Sequence, residues 1–419
     1  MRPGESLFRS HRMKALVLLA ASCSPQAFGS NGIELTGVSF KARARGGADV
    51  AVGDSALAQI DNPATLALTP FGRARFDLTG QLVFSDASWH NPLGSYRSEA
   101  WLAPIGDAAL ALPISSRFTW GLALHDKSGF GSRFYARHLL IPFQKRRIES
   151  DAKNFAFHIS GAYKLTDRIS IGGGIRAEWV TAEFSAVFGP ADLEFERGHS
   201  YGIGFQLGAH CQATDALALG IAYRSPTWAS DLRGGNARVS LFGVLPMSLG
   251  EGRIDNVGLP QRVSVGAAWD VADWFKLVGE ARWLGYSSST WNRAAVATSG
   301  VLDLRVPLRL GYRDQWILIL GAEFKVNEHW TLGLGYNYGR NPVTPLSLLP
   351  IASVVAEHHL SAGFRYEVGN WWVGCGYVIG FANSMRTHGF SDIPLGIDYA
   401  LSEVTQTQHS MIIGFGFAL

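Results

Sequence analysis

The feature that most constrains this chain is an alternation of side chains with period two, held over runs longer than soluble strands usually reach. In Trp330-Thr331-Leu332-Gly333-Leu334-Gly335-Tyr336-Asn337-Tyr338 every second residue is large and apolar, and those between are small or polar. Tyr201 to Gln212 does the same, with Tyr201, Ile203, Phe205 and Leu207 on one face and Gly202, Gly204, Gln206, Gly208 and His210 on the other. Ile169 to Trp179 and His359 to Glu367 repeat it. Successive strand residues point to opposite faces, so each run has one oily face and one polar face. Globular strands average roughly five or six residues, whereas ~9–11 cross a bilayer at a tilt.

The turns reinforce this reading. Short polar connections fall at Ser115-Ser116, Thr166-Asp167, Thr214-Asp215, Ala272-Asp273, Asn327-Glu328 and Gly369-Asn370, each between two long alternating segments. Each marks a tight hairpin. Between hairpins lie stretches rich in Gly, Pro and Ser, at 132–150, 231–256, 287–306 and 341–354, which read as long irregular loops. Short turns at one end and long loops at the other is the asymmetry of outer-membrane barrels. Six hairpins plus a strand at each end, near 73–86 and 403–419, give about fourteen strands, the even number such barrels require.

Composition agrees. Among 419 residues there are 48 glycines, 12% aromatics and only 17% charged residues. Soluble domains carry roughly 25% charge. No run approaches the ~20 apolar residues of a spanning helix. A large soluble β-protein shares this composition, and the regular hairpin spacing separates the two. The net charge of +3 does not call for a nucleic-acid partner.

The first 29 residues read as an export signal. Arg9, His11, Arg12 and Lys14 precede the apolar run Ala15 to Ala21, and Ala27-Phe28-Gly29 supplies small residues for cleavage. Met1 and Met13 are both candidate starts. Cys23 raises a lipoprotein reading, against which Ala20 stands where a larger aliphatic is usual. Cys211 and Cys375 face outward from different strands and are expected to pack as small apolar residues without a disulfide.

The expected fold is therefore all-β: a transmembrane antiparallel barrel over 73–419. In a barrel this wide the apolar series faces lipid, with Trp179, Trp269, Trp330, Tyr336 and Trp371 suited to the interfacial girdles. Inward charges then include Arg176, Glu178, Arg224, Glu280, Arg282, Glu323, Lys325, Arg365 and Glu367. Both signs lie close together, so mutual bracing is the expectation for most. Arg224, Lys325 and Arg365 are the cations that would meet a carboxylate. Ile317 and Ile319 break the polar parity of their strand and mark an apolar substrate path.

Residues 30–72 do not read as a spanning strand. Arg43 to Ala58 is rich in small residues, Ala56 to Ile60 forms a short helix, and Asp61-Asn62-Pro63-Ala64 follows as a turn, because Pro63 disfavours helix at Asn62. A compact segment of this length enters from the periplasm and fills the lumen as an N-terminal hatch.

Several segments together resemble the FadL/TodX family of outer-membrane transporters for long-chain fatty acids and aromatic hydrocarbons. They are Arg45-Gly46-Gly47-Ala48 with Asn62-Pro63-Ala64, Ser160 to Leu165, Tyr223-Arg224-Ser225-Pro226, Leu259-Pro260, Tyr312 to Trp316, and Trp330 through Val343. The resemblance implies a hatch, with Gly46, Gly47, Asn62, Pro63 and Ala64 among its residues, whose Asn-Pro-Ala turn lies in the lumen. It also implies an inward kink in the third strand that opens a lateral exit to the membrane. Ser128-Gly129-Phe130-Gly131 occupies that position, and two glycines one residue apart suit a kink or bulge. They equally suit the start of a loop. Family members commonly end in an aromatic residue, while this chain ends Phe415-Gly416-Phe417-Ala418-Leu419, so recognition by the barrel-assembly machinery would rest on Phe417.

Passive passage of a hydrophobic molecule needs a dry path and no reaction centre. Glu357-His358-His359 places adjacent histidines on opposite strand faces, a poor chelating geometry, and neither Gly-x-Ser-x-Gly nor His-Glu-x-x-His occurs. No enzyme activity, metal or cofactor is expected. The expected partners are a hydrophobic small molecule and the lipid bilayer, with the chain a monomer in the outer membrane of a Gram-negative cell. Two readings stay open beside this one: a general diffusion porin for polar solutes, and an adhesin or scaffold using only its loops.

Overall fold

A computed structural model describes residues 31–419 except 256, 300–302, 304 and 353. The segment 1–29 read from sequence as an export signal, with Met1, Met13 and Cys23, lies outside the described residues.

Fourteen strands close into one antiparallel barrel. They are β1 Arg75–Asn91, β2 Leu102–Pro113, β3 Phe118–His138, β4 Ile141–Lys164, β5 Ile169–Phe188, β6 Ala191–Gln212 and β7 Leu217–Arg224. The second half is β8 Arg262–Ala272, β9 Phe275–Leu284, β10 Gln315–Lys325, β11 Trp330–Gly339, β12 His358–Val368, β13 Trp371–Arg386 and β14 Glu403–Ala418. Pairing of β1 with β14, from Arg75↔Ala418 to His90↔Glu403, closes the ring and leaves no sheet edge. All six tight hairpins fall where the sequence placed them, and they define the periplasmic end.

Parity sets the faces. Ile175, Ile203, Leu207, Leu318, Leu320, Phe364 and Ile413 all point outward and are exposed, as a lipid face demands. The girdle residues Trp179, Trp269, Trp330, Tyr336 and Trp371 share that face. Cys211 and Cys375 are free.

The outer end departs from the expectation of irregular loops. Residues 132–150 continue β3 and β4, which run 21 and 24 residues and meet at a tight turn. At ~3.3 Å per residue, β4 follows a path of about 80 Å, far more than a bilayer needs. Residues 232–241 and 244–255 form a further hairpin, bonded to β6 through Val239↔Leu193. Strand Ala295–Ser299 pairs with it in turn, and Pro345–Ser347 is a 3-10 turn. Sequence alternation does persist there: Phe134, Ala136 and Ile148 are buried on the inner face against the loops. A strand outside the membrane keeps its shape when it still has a core to cover.

Candidate transport path: hatch, lateral break and outer cavity

The hatch starts from local rules. Ser39 caps α1, Phe40–Ala44, by accepting from Ala42 N through its side chain. Gly46 and Gly47 follow with φ of +80° and +105°, a region closed to most side chains. A Cβ on Gly47 would also run into the carbonyl of Thr36. Ala56–Ile60 is a 3-10 helix as the sequence indicated, and Pro63–Leu68 is a second one. Asn62 is its extended cap, and Pro63 takes the first position, where its missing N–H costs nothing. Asn62 Nδ2 donates to Val50 O at 2.7 Å within the hatch and to Ala209 O at 3.0 Å on β6.

Wall glycines admit the hatch backbone. A Cβ on Gly172 would stand 2.5 Å from Ala64 N. On Gly208 it would collide with Asn62, on Gly220 with Val50 and on Gly335 with Gly46. Phe40 lies over Gly374 and Gly414 with its ring 5.7 Å from that of Trp372. Burying such a ring contributes about 1.5–3 kcal/mol.

Charge then pins the seat. Arg45, fully buried, reaches Asp49 at 2.7 Å, Asp54 at 2.9 Å and Glu323 of β10 at 2.8 Å. Burial pushes the Asp54 carboxyl up, but the guanidinium of Arg45 and the ammonium of Lys41 outweigh it and hold the group well below the usual carboxylate range. Asp61 is lowered as well: Arg282 and Arg262 outweigh its burial. Glu280 of β9 accepts from the backbone of Asp49 and Val50 at 2.8 and 3.1 Å, and Arg282 donates to Gly47 O at 2.6 Å.

One stretch of wall is unzipped. β2 pairs with β3 only from Pro113↔Thr119 to Asp107↔His125. Beyond that, Leu102 to Gly106 stay with β1, while β3 follows β4. The two sides meet again where Glu99 N donates to Arg133 O at 2.8 Å. Asp107 marks the end of the zip: it accepts from Arg43 of the hatch at 2.6 Å, from His125 at 2.7 Å and from the Asp126 backbone at 3.1 Å. A bulge between Asp126 and Ser128 leaves Lys127 unpaired in the β3–β4 register. An extra residue reverses strand parity. Trp120 and Leu124 face lipid before it; Phe130 and Phe134 face inward after it.

Phe130 thereby lines a cavity of about 90 Å³ at the outer end. Phe184, Phe188, Val257, Trp291 and Leu349 supply much of the rest of its wall. Glu183 is the one charged lining residue, and it pairs outward with Arg197 at 2.8 Å. An apolar cavity of roughly 150 Å³ stays dry and takes up benzene; this one is smaller, at about 90 Å³.

The residues singled out from sequence divide accordingly. Gly46, Gly47, Asn62, Pro63 and Ala64 all lie in the lumen against the wall. Gly129 and Gly131 lie on the unzipped stretch, where Gly129 N donates to Ile33 O at 3.3 Å, with the bulge itself one residue before Ser128. Ile317 and Ile319 are buried, but Ile319 packs toward Gly46 and neither lines the cavity. Arg224 pairs with Glu34, and Arg365 with Glu367 at 2.9 Å. Lys325 is a correction: parity put it in the lumen, but it is exposed at the periplasmic rim, because parity gives the face of a strand and not the depth. Sequence reasoning missed Arg43, Arg45, Asp107 and Lys127. Two arginines in a segment expected to be enclosed were the available signal, since buried guanidinium groups require partners.

The match to known proteins fits this geometry. A family model described as "Outer membrane protein transport protein (OMPP1/FadL/TodX)" matches residues 16–347. The chain belongs to the FadL/TodX family. Its members are Gram-negative outer-membrane transport channels. The long-chain fatty acid transport protein of Escherichia coli K12 is 22% identical, over 78% of this chain and 82% of that protein. Among solved structures, the Pseudomonas putida toluene transporter TodX superimposes with a TM-score of 0.80 at 19% identity, covering 92% of this chain and 99% of TodX. The Ralstonia pickettii toluene transporter TbuX gives 0.72 at 22% identity, with 91% and 98% covered. As in these FadL/TodX barrels, a plug fills the lumen.

Proposed function

We propose that this chain carries small hydrophobic molecules, long-chain fatty acids or aromatic hydrocarbons, across the outer membrane by passive diffusion. A substrate enters the outer cavity, passes Phe130, and leaves sideways between β2 and β3 into the bilayer. The observation that carries the reading is the adjacency of an apolar cavity to an unzipped stretch of wall, joined by one bulged strand. The names of the relatives support the substrate class. Each methylene taken from water contributes about 0.8 kcal/mol, so such cargo needs few polar contacts. The path requires no reaction centre, metal or cofactor, and the chain acts as a carrier and not an enzyme.

In this reading residues 1–29 are a cleaved signal, 30–72 the hatch and 73–419 the barrel, which functions as a monomer after insertion by the barrel-assembly machinery. Gly46, Gly47 and Asn62 to Ala64 seat the hatch; Ser128 to Gly131 shape the lateral exit. A polar-solute porin is disfavoured, because the hatch fills the lumen with buried, paired charge.

Ala294 is buried in the cavity wall. Replacing it by Trp fills the cavity, and uptake of both toluene and dodecanoate by cells is expected to fall severalfold with normal amounts of folded barrel. Wild-type uptake of both would remove the cavity from the path. Asn62→Ala loses the two bonds from Nδ2, each about 1 kcal/mol, and loosens the hatch against β6. Reduced uptake with intact assembly is expected, and an unchanged rate in the same assay would deny Asn62 its role.

A further inference from the structure

Four tips converge at the outer end of the barrel. β3 turns into β4 at Leu139-Leu140, β5 into β6 at Gly189-Pro190, the outer hairpin turns at Phe242-Gly243, and the loop before β14 passes Leu395. They hold one another through main chain and buried charge. Phe242 N donates to Pro190 O at 2.6 Å, Leu139 N to the Asp398 carboxylate at 2.7 Å, and the Tyr399 hydroxyl to Val187 O at 2.9 Å. Arg146 of β4 pairs with Asp192 of β6. The tips therefore form one crown, over the cavity that Phe188 helps to line.

The crown shows water an apolar surface. Phe143 is 99% exposed, Leu245 80% and Leu395 65%, and Leu140, Phe242 and Val244 are exposed with them. A contiguous patch of this kind marks an interaction site. It is not a continuation of the lipid belt. Phe143 lies twelve residues up β4 from Phe155, which pairs with the girdle residue Trp179, and that is about 40 Å along the strand. The backbone points the same way. Among the described residues four other than glycine have positive φ, and three are crown residues: Phe242 at +51°, Leu245 at +56° and Leu395 at +54°. Large side chains are disfavoured there, where glycine is at ease. A tip that only closed a hairpin would be more stable with glycine at each position. Strain held at exposed apolar residues points to function.

Charge narrows the partner. Across 137–147, 188–192, 241–245 and 393–398 the tips carry Arg137, Lys145, Arg146 and Arg147 against two buried acids, Asp192 and Asp398. One exposed acid, Asp392, precedes the last stretch. Arg147 turns back to Glu149. Arg137 and Lys145 are exposed, and neither is ion-paired among the described residues. An apolar face set among free cations matches a lipid surface of negative charge. We propose that the crown docks this barrel onto an anionic lipid assembly outside the cell, with Phe143, Phe242, Leu245 and Leu395 entering its apolar layer and Arg137 and Lys145 meeting its headgroups. A second copy of the chain fits less well, because tip-to-tip contact would oppose like charges. The inference goes beyond the transport reading and does not depend on it.

The test places the full mature chain in phosphatidylcholine nanodiscs. Co-sedimentation is followed with sucrose-loaded vesicles of phosphatidylcholine alone or mixed with phosphatidylglycerol. Strong binding to the anionic vesicles and little to the neutral ones is expected, weakening as salt rises. Arg137→Gln with Lys145→Gln is expected to weaken it on the order of thirtyfold, the worth of two charges drawn to an anionic surface. Phe143→Ser with Leu245→Gly removes two apolar side chains and relieves the backbone at one of them. The barrel is then expected to assemble normally and binding to fall on the order of tenfold or more. If that pair fails to assemble, Phe143→Ser alone, at a site fully in water, carries the same test. Wild-type binding in both variants, equal binding to the two vesicle types, or none to either overturns the proposal. So does association of the nanodiscs without vesicles that the same variants abolish, which would assign the crown to a second copy. No uptake is measured, so each of these results leaves the transport reading where it stands.

Discussion

Replacing Arg45 by Met is expected to turn a closed barrel into an open pore. The guanidinium serves Asp49, Asp54 and Glu323 at once, the last on the wall. Removing it leaves two buried acids, Asp49 and Glu323, and the partly buried Asp54 without their shared counter-ion. Removing one partner of a buried pair costs about 3–5 kcal/mol. That exceeds what the packing of Phe40 alone returns, about 1.5–3 kcal/mol. The hatch is thus expected to leave its seat, while the barrel, whose ladders do not involve Arg45, still closes between β1 and β14. Planar-bilayer recordings should show large steady conductance for Arg45→Met and little for the wild type. A variant as closed as the wild type would mean that the wall glycines and Phe40 hold the hatch without the ion cluster. Steady large conductance in the wild type would instead favour the porin reading.

Deleting Lys127 is expected to abolish lateral exit. The residue is the bulge, and without it β3 and β4 pair in one unbroken register through Asp126 and the present Ser128. Parity beyond that point reverses. Phe130 then turns from the cavity toward lipid, and a straightened β3 can continue its ladder with Leu102 to Gly106 of β2. Glu178 loses one donor but keeps Arg176, Asn154 at 2.7 Å and Thr227 at 2.9 Å, so the lumen stays compensated. Uptake of toluene and dodecanoate should fall to the level of cells lacking the protein, with folded barrel still present in the membrane. Uptake at the wild-type rate would place the exit elsewhere. Replacing Lys127 by Met keeps the bulge and removes the charge, and that variant separates the geometry of the kink from its electrostatics.

Much of the barrel was legible before any coordinates. The number of strands, the six periplasmic turns and the lipid face follow from alternation and turn residues, and these are local properties. The hatch was legible as an exception, a segment whose small residues and proline fit no spanning strand. Its internal 3-10 helix at Ala56–Ile60 and the extended Asn62 were readable for the same reason. The site was far less so. Arg43 and Asp107 meet 64 residues apart, and Arg45 and Glu323 meet across 278. No local pattern encodes such a pairing. The glycines at 208, 220 and 335 read simply as small residues on a polar face, and only the hatch laid against them explains why no Cβ is allowed.

The parity of β3 marks where sequence stops. By itself the sequence determined that this chain is an alternating, Gly-rich, hairpin-punctuated barrel with an enclosed N-terminal segment, because period and turn chemistry act within a few residues. Read straight through, Trp120, Leu124, Phe130 and Phe134 share one parity and would fall on one face. Tertiary structure decided otherwise: the bulge at Lys127, paid for by its bond to Glu178 on β5, divides the series between lipid and cavity. A bulge is set by what the neighbouring strand and the lumen demand, and that information lies 51 residues away in the chain.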